Sequence, residues 1–281
     1  MRKIALIGGD SRQIPAAKNL NLAGFTPFVY GNDMAAKAGF TAPYTLHETV
    51  DAAEAILLPI PSIKKNNFLF TPLYENTIAL NDLLQVMPQN AVIFLWNNKN
   101  CNIMLSNRII DLAYDEIYLN NNARATAEAA LLVAMNESKK AFFKMRCSVL
   151  GYGRIGKILT HHLTALGAKV FIGARRKEVQ KEAIENGHSV FCPTDPILFS
   201  DTDLIFNTIP SPILTEEKLK NASKNLLYIE LASSPGALDS RPPFRVIKAG
   251  GLPGKYCQES AGEFLAEAVI RHMKKGSDAV C

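Results

Sequence analysis

Cys147–Gly156 reads C-S-V-L-G-Y-G-R-I-G. The apolar run Cys147–Leu150 predicts a strand buried on both faces. It enters Gly151, Gly153 and Gly156 in the spacing G-x-G-x-x-G. A helix is expected over Arg154–Leu166, with Ile155, Leu159, Leu163 and Leu166 on one face, and a second strand over Lys169–Ile172. Each glycine has a physical task. Gly151 turns the chain off the strand, Gly153 lets a pyrophosphate approach the backbone, and Gly156 lets the helix pack close to the sheet. The helix start offers free N–H groups and a partial positive charge to the phosphates. The same spacing also occurs in merely structural strand–helix turns. The strand before it and the helix and strand after it favour a dinucleotide site, with Tyr152, Arg154 and Ile155 inside the turn.

The second strand runs out into Gly173-Ala174-Arg175-Arg176. NAD-selective sites place an acid here for the ribose 2′-hydroxyl. None stands between Gly167 and Lys177. Arg175 and Arg176 can pair a 2′-phosphate, which points to NADP over NAD. They can equally lie solvated, or one can stack on adenine.

Working outward, 281 residues suit two domains. With 48% hydrophobic and 20% charged residues the chain can bury real cores and is not a disordered polymer. The net charge of +5 is spread along the chain, and its short basic runs do not argue for nucleic acid. Five dispersed cysteines, with no C-x-x-C pair and no histidine at metal spacing, fit free thiols in a reducing compartment and no metal site. No apolar run is long enough to span a membrane. A cytoplasmic protein is expected.

Upstream, Lys3–Ile7 reads as a strand entering Gly8-Gly9-Asp10-Ser11-Arg12-Gln13 and a helix over Arg12–Ala23. This is a second Rossmann-like start without the full glycine fingerprint. Strands follow at Pro27–Tyr30, Glu54–Leu58 and Ala91–Trp96. The last two end in Pro59-Ile60-Pro61-Ser62 and Asn97-Asn98. A helix near Ile103–Ala113 and a strand near Asp115–Leu119 complete this half. From Ala123, A-R-A-T-A-E-A-A-L-L-V-A-M-N-E has the highest helix propensity in the chain. Downstream, strands are expected at Ser189–Cys192, at Asp203–Asn207 before Thr208-Ile209-Pro210, at Leu226–Glu230 before L-A-S-S-P-G, and at Arg245–Lys248 before a G-G-L-P-G loop. A helix over Ser260–Met273 carries Phe264, Leu265, Val269 and Met273. The fold class is α/β: two Rossmann-like parallel-sheet domains joined by a long helix, with the C-terminal helix packing back on the first domain. The expected boundaries are 1–122, a linking helix 123–145, a dinucleotide-binding domain 146–254, and a returning helix 255–281.

The order G-G-D-S-R-Q, N-N-A-R-A-T-A-E, V-L-G-Y-G-R-I-G, I-G-A-R, N-T-I-P, L-A-S-S-P-G and G-L-P-G resembles the A subunits of dipicolinate synthase, a family of spore-forming bacteria, over essentially the whole chain. The resemblance implies oxidation of dihydrodipicolinate, or a hydrated precursor, to pyridine-2,6-dicarboxylate, with NAD or NADP as acceptor. It also implies a flavoprotein-like B subunit, hence a hetero-oligomer, in the mother-cell cytoplasm during sporulation. The layout is similar to that of 2-hydroxyacid dehydrogenases too. Their acid/base histidine is missing from G-G-L-P-G-K-Y-C here, which argues against that mechanism.

A planar dicarboxylate needs anion holders. Arg12 can offer a bidentate fork with Ser11 beside it, or be a surface arginine next to a capping Asp10. Ser62 and Asn97 end neighbouring strands and can line the same cleft, or simply hold turns. Thr126 and Glu128 open the linking helix. Glu128 is the candidate base, with a solvated helix residue as the alternative. The cofactor set is Gly151, Tyr152, Gly153, Arg154, Ile155, Gly156, Ala174, Arg175, Arg176, Thr208, Ile209 and Pro210. A second function class also fits: a non-catalytic, nucleotide-binding scaffold for a catalytic partner.

Overall fold

In the computed structural model, residues 2–64, 66–101, 103, 108–193 and 199–278 are described. Strand β1 (Arg2–Ile7) leads to helix α1 (Gln13–Leu22) and strand β2 (Phe25–Tyr30). Short helices α2 (Met34–Lys37) and α3 (Leu46–Val50) precede β3 (Ala55–Leu57). Then come α4 (Leu80–Val86), β4 (Val92–Leu95), the short α5 (Asn98–Cys101) and β5 (Ile109–Asp111). After the long helix α6 (Glu116–Ser138), the chain continues through β6 (Arg146–Leu150), α7 (Arg154–Ala165), β7 (Lys169–Gly173), α8 (Lys177–Glu185) and β8 (Ser189–Phe191). It ends with β9 (Leu204–Asn207), α9 (Glu216–Leu219), β10 (Leu227–Glu230), β11 (Arg245–Lys248), α10 (Leu252–Tyr256) and α11 (Gln258–Asp278).

The chain divides into two units, one of residues 1–122 with 253–281 and one of residues 123–252. Each holds one wholly parallel sheet, as the sequence led us to expect. The first unit's sheet has the order β2-β1-β3-β4-β5 and the second's β11-β10-β9-β6-β7-β8. In the first sheet, β1 and β3 are central and almost continuously buried, whereas the edge strand β2 alternates buried and half-buried positions. Pro27 is tolerated in β2 because an edge strand has a side that need not donate. In the second order, β6 and β9 are neighbours from which the chain winds outward both ways. This is the doubly wound arrangement, with its switch point between those two strands.

The returning helix packs as expected. Leu265, Val269 and Met273 join Ile4, Leu20 and Phe94 in one core of the first unit. Phe264 packs at its margin. No helix among the described residues is long and apolar enough to cross a membrane.

Several expectations need correction. Of the helix expected near Ile103–Ala113, residues 104–107 lie outside the described residues. The β-branched pair Ile109-Ile110 is strand β5, followed by a single 3-10 turn at Leu112–Tyr114. No strand forms at Asp115–Leu119, because Asp115 accepts the Tyr118 N–H at 2.9 Å and caps α6, which starts at Glu116 rather than Ala123. That helix also ends at Ser138, not at 145, where Lys139 takes a left-handed φ of 56°. The G-G-L-P-G stretch, expected as a loop, runs into α10, which starts at its Leu252. Leu166 lies beyond α7 and is exposed, so the buried stripe of that helix is Leu159 and Leu163.

Candidate functional site

The second unit's turn is built as the glycine spacing requires. Gly151 has φ 92°, and its N–H donates to Gly173 O at 2.8 Å, joining the ends of β6 and β7. A Cβ on Gly151 would overlap Thr208 Oγ1, and one on Gly156 would overlap Gly151 O. Gly156 is where α7 closes onto the strand end. Gly153 differs: it has ordinary φ (−87°), and a Cβ there would meet nothing within 4 Å. Among the described residues, no contact demands a glycine at 153.

Around this turn, Tyr152 is buried against Ile172, Ala174 and Ala183, with Lys157 Nζ 5.5 Å from its ring centre. It is part of the wall that shapes the turn. Arg154 is exposed, Ile155 half-buried, and Arg175 and Arg176 are both exposed at the end of β7. Ala174 is fixed there by its N–H to Phe191 O (3.1 Å) and by Gln180 Nε2 donating to its carbonyl (2.6 Å). Across the switch point, Thr208 donates both its N–H and its hydroxyl to Leu150 O, each at 2.8 Å. Thr208, Ile209 and Pro210 therefore stand next to the Gly151 turn.

The first unit's switch point lies between β1 and β3. The Asp10–Arg12 turn follows β1, and Pro59–Ser62 follows β3. Arg12 is buried at 7% exposure. Its Nε donates to Asp10 Oδ1 (2.8 Å) and its Nη2 to Asp10 Oδ2 (2.9 Å) and to Ile60 O. Burial alone would lower the guanidinium pKa, but the Asp10 carboxylate raises it. Tyr118 of α6 also bonds Arg12, and burial pushes its hydroxyl up to about 12. Ser11 is half-buried and donates its hydroxyl to Gly254 O at 2.8 Å. A Cβ on Gly254 would press on both Asp10 and Arg12, so α10 packs directly on the ion pair.

Arg12, Ser62 and Asn97 do gather at one sheet edge. Ser62 follows Ile60 in the loop Arg12 binds, and its hydroxyl accepts the Trp96 N–H at 2.8 Å, one residue before Asn97. Their states differ from the expectation. Arg12 is no free fork, because Asp10 already takes its bidentate edge. Ser62 is fully buried and also donates to Pro59 O at 2.9 Å, so its hydroxyl holds the turn. Asn97 is half-buried, has φ 62°, and donates its N–H to Asp111 Oδ1 at 2.8 Å. On α6, Thr126 is buried and Glu128 exposed. Residues two apart on a helix do not share a face, so the two do not address one ligand together.

Sequence reasoning passed over Tyr118, Asn207 and Glu230. The last two are polar residues closing otherwise apolar buried strands, L-I-F-N and L-Y-I-E, and that placement is a legible signal.

Residues 3–113 match the family model described as the N-terminal domain of the dipicolinate synthase A subunit. The dipicolinate synthase A subunit of Bacillus subtilis (strain 168) is 28% identical over 288 residues, covering 96% of this chain and 95% of that protein. The crystal structure of the Bacillus subtilis A chain matches with a TM-score of 0.84 at 26% identity, over 98% of this chain and 96% of the other. That of the A subunit from Bacillus halodurans matches with a TM-score of 0.82 at 26% identity, over 96% and 97%. In sequence and in fold, over 96–98% of its length, the chain is similar to the A subunit of dipicolinate synthase.

Proposed function

We propose that the chain is the nicotinamide-dependent oxidoreductase subunit of a dipicolinate synthase. In this reading it oxidises dihydrodipicolinate, or its hydrated precursor, to pyridine-2,6-dicarboxylate in the cytoplasm of a sporulating cell, beside a flavoprotein-like B subunit in a hetero-oligomer. The observation that carries it is Gly153: a glycine on the turn at the switch point whose Cβ direction is open, as a bound pyrophosphate needs. The likeness to the A subunit of dipicolinate synthase, over 96–98% of the chain, supports this choice of substrate class.

The N–H groups at the start of α7 would hold the pyrophosphate. Arg175 and Arg176 would hold a 2′-phosphate, which favours NADP over NAD. Thr208, Ile209 and Pro210 would flank the other half of the cofactor. A bound nicotinamide supplies the hydride acceptor. Loss of one hydride and one proton from the dihydropyridine completes the aromatic ring. We assign the proton to the exposed Glu128 carboxylate. For the dicarboxylate we retain Ser11 and Asn97 as direct contacts, with Arg12 as the buried cation that orders the turn behind them. Ser62, bonded to Pro59 O and the Trp96 N–H, would hold the loop behind them, and Thr126 lies buried in α6.

The scaffold reading gains from one observation, the neutralisation of Arg12 by Asp10, which leaves that turn without a free fork. Nicotinamide reduction with freshly generated dihydrodipicolinate, with and without the partner subunit, separates the two. Turnover by this chain alone, lost in Gly153→Val, is the expected result. Turnover only with the partner, unaffected by Gly153→Val, overturns the proposal.

A further inference from the structure

The carboxyl edge of the second sheet carries a polar pair that the reaction as proposed does not use. Asn207 ends β9 and Glu230 ends β10, directly opposite each other in the ladder. Asn207 is fully buried. Its Nδ2 donates to Glu230 Oε1 at 2.6 Å and to Ile209 O at 3.0 Å, while its Oδ1 accepts the Ile209 N–H at 3.0 Å. One amide thus closes the Thr208–Pro210 turn on both sides. Glu230 does the same for the next loop: Oε1 accepts the Ala232 N–H at 3.0 Å and Oε2 the Ala237 N–H at 3.2 Å. Its Oε2 also accepts the Tyr228 hydroxyl at 3.1 Å. Two loops from adjacent strands hang on one amide–carboxylate contact.

A carboxylate suits this place. It accepts with both oxygens and donates with neither, and four donors face it. A glutamine would turn an NH2 group towards one pair of those donors. Geometry also says which ligand the loops would meet. The doubly wound sheet is two mononucleotide-binding halves joined at β6 and β9. The adenine ribose falls to the end of β7, so the other mononucleotide crosses the ends of β9 and β10.

Resting on the dinucleotide reading above, we propose that Asn207 and Glu230 are a positioning pair that presets the 208–210 and 231–237 loops for the nicotinamide half of the cofactor. Preset loops need no ordering when the cofactor arrives, so the pair raises affinity without touching the adenine half.

The experiment is calorimetry on the full chain and its variants, with NADP and NAD as whole cofactors and adenosine 2′,5′-bisphosphate and AMP as adenine-half probes. Glu230→Gln and Asn207→Ala are expected to weaken the whole cofactor by about tenfold or more, the equivalent of one charge-assisted hydrogen bond, and to leave the adenine-half probe unchanged. Tyr228→Phe removes a donor to Glu230 without releasing either loop, and should bind both like the parent. Asn207→Ala carries the test alone if Glu230→Gln does not fold. A folded Glu230→Gln or Asn207→Ala protein that binds both probes like the parent, or that loses both equally, overturns the proposal. Failure of the parent chain to bind any dinucleotide overturns instead the reading it rests on.

Discussion

Gly153→Val asks whether the glycine turn holds a ligand or only a fold. On the folding side the change costs little. The backbone at 153 is extended, at φ −87° and ψ −162°, which a β-branched residue adopts without strain. A Cβ there meets nothing within 4 Å. Valine is a poorer N-cap for α7 than glycine, so the cost should stay near about 1 kcal/mol. On the binding side the added methyl groups fill the space the pyrophosphate must enter. Losing two charge-assisted N–H contacts, at roughly 1.5–3 kcal/mol each, weakens the dinucleotide by about a hundredfold or more. Gly156→Val is the contrasting arm. Its Cβ would overlap Gly151 O, so it should lose about 1–3 kcal/mol or more of stability by overpacking. Thermal unfolding and calorimetric titration of the parent and both variants read the two effects apart. A Gly153→Val protein that melts like the parent and still binds dinucleotide refutes the assignment of this turn.

Four further outcomes are expected. Arg175→Ala with Arg176→Ala should reduce NADP affinity and leave NAD affinity unchanged by calorimetry; equal effects on both would remove the 2′-phosphate from the argument. Arg12→Ala strands the Asp10 carboxylate, and denaturant titration should show a loss of about 2–4 kcal/mol, with NADP affinity of the folded fraction unchanged. Glu128→Gln should lower turnover more than substrate affinity; no change in turnover would leave Glu128 a solvated helix residue. Burial alone would raise the Asp115 pKa, but the Tyr118 N–H, Arg271 and His272 hold it down to about 2. A depressed carboxylate stabilises the fold above its unfolded pKa of 3.8 and loses that contribution as pH falls towards 2. Acid unfolding of the parent should show roughly 1–2 kcal/mol lost over that window. Asp115→Asn should lack it.

The glycine fingerprint, the alternation of strands and helices and the returning helix were legible because each is written locally. A buried strand is an apolar run, and a glycine spacing is contiguous. The start of α6 was misread because Ile117, Tyr118 and Leu119 look like a strand until Asp115 is recognised as the cap, a role its contacts with Arg271 and His272 of α11 reinforce. Arg12 was legible as important but not as neutralised. The contact that decides its state, a bidentate bond to a residue two positions away, depends on side-chain geometry rather than on spacing. Tyr118 and Gly254 reach the same ion pair from far along the chain, and no pattern in G-G-D-S-R-Q names them.

The interrupted first unit has a consequence for synthesis. On the ribosome, residues 123–252 emerge as one uninterrupted segment and can fold as they appear. Residues 1–122 emerge earlier but lack the helix that covers Leu20, Phe94 and their neighbours. That apolar surface stays open until residues 253–281 have been made, and closing it over Leu20 joins positions more than two hundred apart. The unit begun before residues 123–252 is thus completed after them. In the interval it is the part of the nascent chain a holding chaperone would recognise.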